Sequence, residues 1–282
     1  MEYEKRIVCY LDILGFKNMI YESAKNGHIR ERIFKLLEDV KGIHQNFQVS
    51  REYTVVPEKE FVDGFTPKNV FDSGLQSEMS FFSDSIIFSY KMTQKRKDLM
   101  DIHIVLHEIS FFAFQLLAMG FFARGGMVFG DVYHKDNVCF GPALVKAVLL
   151  EEKAVHPRIS IDPLFFNPES PDSVYYGRKN IFKHNRDFIE DTYHCVDIFE
   201  GQQSSNDIYS IRLDKNLVHY LDILDINIDR NMARALHIKS VIEKELKKDY
   251  PPHIAEKYQW MKDYYNSIVW NVQCMDGGKI EI

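Results

Sequence analysis

Val8-Cys9-Tyr10-Leu11-Asp12-Ile13-Leu14-Gly15-Phe16 places one carboxylate inside an otherwise apolar run. Residues 6 to 14 read as a buried strand, Gly15 as a turn, and a long amphipathic helix follows at once. A second carboxylate has a similar setting in Met79-Ser80-Phe81-Phe82-Ser83-Asp84-Ser85-Ile86-Ile87-Phe88-Ser89-Tyr90. An ionised carboxylate buried without a partner is very costly, so each aspartate should pair with a cation. Two such groups side by side would make a site of hard oxygen ligands for a divalent metal.

Outward from this pair, helical spacing puts Ile29, Ile33, Leu36, Leu37, Val40, Ile43 and Phe47 on one face of a helix over 17–48. Periodicity is lost over 50–78, where Pro57, Gly64, Pro67 and Gly74 mark a surface excursion, a lid or a plain insertion. Residues 79–90 read as a second strand, the first arm of a hairpin or of an edge pairing. A helix from Asp98 to Met119 packs a face of Leu99, Ile102, Leu106, Ile109, Ala113, Leu116 and Leu117 on the sheet, and the added Phe111, Phe112 and Phe114 make it apolar most of the way round. That calls for burial on two sides, by the C-terminal part or by a partner subunit.

Residues 122–134 read as a strand carrying Gly125, Gly126 and Gly130. Glycine weakens a strand unless something approaches the backbone closely. Lys135-Asp136-Asn137 makes a turn, 138–140 returns, and Gly141-Pro142 stops that strand and starts a helix to about Lys153. A strand over 158–162 closes this part. Beyond Pro163 come strand-like pieces at 194–199 and 208–213, then helices at 231–248 and 254–269. The expected fold class is α+β: an antiparallel or mixed sheet with helices on one face, similar in plan to a ferredoxin-like core. Residues 1–162 form that core, and 163–282 a C-terminal α/β extension packed on it.

The 282 residues are 45% hydrophobic and 27% charged, as in ordinary soluble domains. A net charge of -6 and the lack of a basic tract argue against duplex nucleic acid as a partner. Cys9, Cys139, Cys195 and Cys274 form no CxxC pair, which argues against zinc and a disulfide scaffold and for reduced thiols. Neither a signal-peptide pattern at the first residues nor a run of 18 apolar residues is present, so a cytoplasmic location without membrane insertion is expected.

The arrangement resembles the class III nucleotidyl cyclases. Asp12-Ile13-Leu14-Gly15-Phe16 matches that family's first metal motif in full, and Ser83-Asp84-Ser85 matches the second with serine in place of glycine. Arg124 to Gly130, the hairpin, and Gly141 to Glu151 match the later block in spacing and in Ala147, Leu150 and Glu151. The likeness covers about 5–162. The family's transition-state Asn and Arg fall on Val145 and Leu149, and its two purine-reading residues on Ser80 and Val138. The metal centre is thus retained while the purine pocket is lost. Phe81 to Phe88, Arg124-Gly125-Gly126, and Gly141-Pro142-Ala143 through Ile159 resemble one branch, the pyrimidine cyclases of bacterial Pycsar anti-phage systems.

That resemblance implies conversion of UTP or CTP to the 3′,5′-cyclic monophosphate, a second messenger for an effector protein. It implies a head-to-tail homodimer whose sites lie at the interface, with residues 124–140 and the helix from Pro142 completing the site from the partner. Two divalent cations, Mg²⁺ or Mn²⁺, would sit on Asp12 and Asp84, with the Ile13 carbonyl as a third ligand. The amides of Leu14, Gly15 and Phe16 could hold phosphate oxygens at a helix start. Arg124 is the candidate for stabilising phosphate charge and Lys146 a weaker one; Ser80 and Val138 would face the base. Phe16 and Phe81 could flank the base, with core packing the better expectation for Phe81. His134, beside its turn, is expected at the surface. The alternatives are a purine cyclase with an unusual pocket and a catalytically silent nucleotide-binding dimer module. The residues lean to UTP over CTP only because nothing demands the cytosine pattern.

Overall fold

β1 (Glu4–Ile13) lies in the middle of a mixed sheet, hydrogen-bonded antiparallel to β3 on one side and β4 on the other. The computed structural model describes residues 2–53, 75–92, 99–166, 181–183, 194–196, 237–269 and 279–281. Along the chain after β1 come α1 (Phe16–Ser23), α2 (Gly27–Tyr53), β2 (Ser77–Phe82) and β3 (Ser85–Lys91). Next are α3 (Leu99–Ala118), β4 (Ala123–Lys135), β5 (Val138–Phe140), α4 (Pro142–Lys153) and β6 (Ile159–Ile161). A short 3-10 helix (Pro163–Phe166), β7 (Ile181–Lys183), β8 (His194–Val196), α5 (237–246) and α6 (Pro252–Val269) complete the described elements.

The strand order is β2-β3-β1-β4-β6-β8-β7, with β5 paired to β4. The first four strands pair antiparallel, and among the described strands only β4 with β6 runs parallel. The expected α+β character therefore holds: a mixed sheet with helices, its first four strands joined in the split β-α-β plan.

Alternation along β1 explains the layering. Ile7, Cys9, Leu11 and Ile13 point into the large core with α2 and α3. Val8 points the other way, into a smaller cluster with Val128, Val132, Ala143, Ala147 and Leu150. Helices thus cover both faces, which corrects the one-face expectation. α4 is the crossover between parallel strands β4 and β6 and must lie across the sheet, and its Ala143–Ala147–Leu150 stripe is apolar enough to do so.

Two further corrections concern boundaries. The helix expected over 17–48 is two helices, because the Asn26 side chain accepts from the amides of His28 and Ile29 and so starts a new one. Residues 79–90 are not one strand but a hairpin turning at Ser83-Asp84, with Phe82 paired to Ser85. Ser83 has φ 59, the left-handed region, at the position where the cyclase motif has glycine.

The apolar girth of α3 is absorbed within the chain. Phe112, Phe114 and Leu116 share one buried cluster with Val196, Ile238, Ile242, Trp260, Met261, Tyr264 and Tyr265. Burial on two sides is thus supplied by the C-terminal elements, which also join the sheet through the β6–β8 pairing. α6 begins two residues before the expected helix, and α5 falls within its expected range. β7 was not expected. The strand expected at 208–213, Trp270, Cys274 and most of the 50–78 excursion lie outside the described residues.

Candidate functional site

Asp12 stands one residue from the end of β1, opposite Ser85 of β3 and Arg124 of β4. The period-2 alternation that buries Leu11 and Ile13 in the large core sends Asp12 to the α4 side. Asp84 occupies the β2–β3 turn, and its carbonyl accepts from the Ile13 amide at 3.0 Å. One main-chain bond therefore ties the second aspartate to the residue after the first. Gly15, at φ 80, turns the chain into α1 in a conformation that side chains rarely adopt.

Arg124 lies over this end of the sheet. Its Nε donates to Glu151 of α4, its Nη1 donates to the Ala154 carbonyl at 3.1 Å, and its Nη2 is 3.9 Å from Asp12 Oδ2. Glu151 is almost fully buried, so α4 acts as a backstop that aims the guanidinium at Asp12. Arg124 and Asp12 thus meet within one chain, where the family resemblance implied that Arg124 would complete the site from a partner.

Burial pushes the Asp12 carboxyl above the usual carboxylate range, and the Asp84 charge adds to this; Arg124 and then Lys257 of α6 oppose it. Glu151 is also raised, first by burial, with Arg124 opposing. Tyr10 shares the Asp12 face and bonds Ser85 Oγ at 2.7 Å. Its hydroxyl is raised by burial and by Asp12, Glu151 and Asp84. The site is therefore rich in negative charge held against desolvation. An added cation would relieve that, and hard carboxylate oxygens suit a divalent one. Among the described residues, no group of three or more His, Cys, Asp and Glu is gathered tightly enough to hold an ion by itself.

A carboxyl whose pKa is raised on folding costs stability at neutral pH, and the cost vanishes below the carboxylate range. Asp12→Asn should therefore melt above the wild type at pH 7 in chelator-containing buffer. The gap should close as pH falls through the carboxylate range. Melting of the variant at or below wild type at pH 7 would contradict this balance.

The other sequence candidates divide. The Leu14 amide already donates to the Phe122 carbonyl at 2.8 Å, so it is not open to a phosphate. The Phe16 ring is 1% exposed and belongs to the core, so it is not open to a base, whereas Phe81, expected to pack in the core, is 38% exposed. Lys146 pairs with Asp162 at 3.3 Å across the end of β6. Val138, Val145 and Leu149 are exposed. His134, expected at the surface, is 3% exposed. Cys9 and Cys139 are free thiols; burial raises both, Cys139 to about 11, so neither is a reactive thiolate at neutral pH.

Sequence reasoning missed Glu151 as the residue holding Arg124, Tyr10 with Ser85, and Lys257. Glu151 matched the motif block, and the Arg124–Glu151 pair was a readable signal. Lys257 had none, because α6 reaches the site only by packing: Tyr258 lies edge-on to Phe122 at 5.1 Å and Trp260 stacks on His156 at 5.4 Å. Comparison with known proteins returns no matching family model and no matching curated relative. No helix among the described residues is long and apolar enough to cross a membrane.

Proposed function

We propose that this protein is a pyrimidine nucleotide cyclase, converting UTP or CTP to the 3′,5′-cyclic monophosphate and pyrophosphate. The observation that carries the reading is the meeting of Asp12 and Asp84 at one end of the sheet, with Arg124 aimed at Asp12. Bound at Asp12, Asp84 and the Ile13 carbonyl, Mg²⁺ or Mn²⁺ would lower the pKa of the attacking ribose hydroxyl and offset triphosphate charge. In cyclisation the ribose 3′-oxygen forms a bond to the α-phosphorus while the bond to pyrophosphate breaks. Arg124, anchored by Glu151 and the Ala154 carbonyl, faces the charge that develops on the phosphates. The Gly15 and Phe16 amides, at the start of α1, would hold phosphate oxygens.

The working unit in this reading is a homodimer in the cytoplasm, serving a cyclic-nucleotide-activated effector in anti-phage defence. Support for a second copy comes from apolar side chains left exposed on α4 and on β5 beside it, Val145, Leu149, Val138 and Phe140, and from the 86% exposed Phe82 at the end of β2. A two-fold pair would repeat one contact and give two equivalent sites.

Incubation with each radiolabelled nucleoside triphosphate and Mn²⁺ tests the reading. A cyclic pyrimidine product is expected, with ATP and GTP poor substrates because Ser80 and Val138 offer no purine-reading pair. Comparable cyclic AMP from equal ATP would overturn it. A second reading, a silent nucleotide-binding module, is favoured by the exposed apolar Val145 and Leu149 where the cyclase motif has Asn and Arg. Nucleotide binding with no product from any triphosphate would select that one.

A further inference from the structure

The chain of polar side chains from Arg6 to Ser80 crosses four strands and takes no part in the chemistry above. Arg6 of β1 donates from Nη1 to Ser89 Oγ of β3 at 3.2 Å. Ser89 Oγ is 2.8 Å from His134 Nδ1 of β4. His134 Nε2 is 2.8 Å from Ser80 Oγ of β2. All four residues are buried, and Ser89 is sealed completely. Buried polar groups must find partners, so the hydrogens in this chain can be assigned.

An arginine only donates, so Ser89 Oγ accepts from it. The Ser89 hydrogen then needs an acceptor, and the one available among the described residues is His134 Nδ1. His134 is neutral, because burial, with Arg6 and His44 adding to it, pushes its pKa down to about 4. A neutral imidazole accepting at Nδ1 carries its proton on Nε2 and donates it to Ser80 Oγ. The opposite direction would give Ser89 two donors and leave its own hydrogen sealed with nothing to meet. Arg6 therefore sets the direction of the whole relay, and its last member, Ser80, has no acceptor for its hydroxyl hydrogen among the described residues. Phe82, two residues on along the same strand face, is the open apolar ring beside it.

We propose that His134 is a positioning residue: it turns the Ser80 hydroxyl into a fixed donor aimed at a carbonyl oxygen of the base, so that the site takes uracil over cytosine. The inference rests on the pyrimidine cyclase reading and deepens it. Uracil presents a carbonyl oxygen at C4, where cytosine presents an amino donor. If Ser80 Oγ accepted from both His134 and that amino group, its own hydrogen would have nothing to meet among the described residues, as for Ser89. Without His134, the Ser80 hydroxyl turns freely and serves either base.

The test is competition between UTP and CTP at equal concentration with Mn²⁺, measured for wild type, His134→Phe, His134→Gln and Ser80→Ala. Wild type should favour UTP by about tenfold or more, the worth of one satisfied against one opposed hydrogen bond. His134→Phe should collapse the ratio towards one, mainly through a raised KM for UTP, while Gln, which can still donate to Ser80, should retain most of it. Ser80→Ala should match His134→Phe, and the double variant should fall no further. If His134→Phe does not fold, Ser80→Ala carries the same comparison with a smaller change. A wild-type preference for CTP, or an unchanged ratio in a folded His134→Phe or Ser80→Ala, would overturn the inference while leaving the cyclase reading standing. No cyclic pyrimidine from wild type would remove the cyclase reading itself, and the inference with it.

Discussion

Asp12→Ala and Asp84→Ala are each expected to lower cyclic nucleotide formation by about 10³-fold or more, with the fold intact. Each removes a carboxylate from a site where metal-borne charge stabilisation is worth several kcal/mol, and each 1.36 kcal/mol is about tenfold in rate. Neither side chain fills the core: Asp12 is a quarter exposed and Asp84 sits in a turn. The Asp84 contact that supports the fold, its carbonyl to the Ile13 amide, is main chain and survives the substitution. Radiolabelled turnover with circular dichroism on the same samples checks both halves. Full activity in either variant would end the two-carboxylate reading. Mixing Asp84→Ala chains with Arg124→Ala chains should restore nothing even with subunit exchange verified, because Arg124 and both aspartates belong to one subunit's share of the site. Recovery would show that Arg124 reaches across an interface.

Gly126→Ala should be the most damaging small substitution for stability. A Cβ there would lie 2.2 Å from the Ala147 carbonyl oxygen, 2.9 Å from Leu150 Cβ and 3.0 Å from the Glu151 amide. These neighbours are the backbone and stem of α4, so no side chain can swing aside, and the helix must lift from the sheet. Overpacking against rigid neighbours costs about 3 kcal/mol or more. For a domain of this size that is a fall in melting temperature on the order of 10 °C. Lifting α4 also withdraws Glu151 from Arg124, so activity should fall in the molecules that remain folded. Gly130→Ala is the milder control, since its Cβ would meet Ala143 Cβ at 3.3 Å, which asks the neighbour to yield only a few tenths of an ångström. Thermal denaturation of the two variants side by side decides the matter. Equal melting temperatures would mean that α4 does not rest on Gly126.

Local pattern and composition determined a good part of this molecule. The apolar run around Asp12 is a central strand, the Lys135-Asp136-Asn137 signal is a turn, Gly141-Pro142 starts a helix, and a glycine within β4 marks close approach by α4. Each depends on a few neighbouring residues: burial on both faces, turn chemistry, or the absence of a Cβ. The split at Asn26 and the turn at Ser83 were local too, but they hid inside longer periodic runs.

Tertiary structure alone decided what those elements bring together. His134 sits beside a polar turn, yet β4 carries its ring to serines 45 and 54 residues away in sequence. Phe16 is buried and Phe81 is exposed, the reverse of the expected burial, because exposure depends on which strand or helix lies opposite. The girth of α3 is closed by α5 and α6, more than 100 residues further along the chain. Arg124 joins the aspartates within one subunit because β1 and β4 pair in a register that sets it opposite Asp12. Sequence periodicity says which face of an element is apolar, but not which distant element covers it. That choice belongs to the packing of the whole chain, and here it assigned His134, Glu151 and Lys257 to their places.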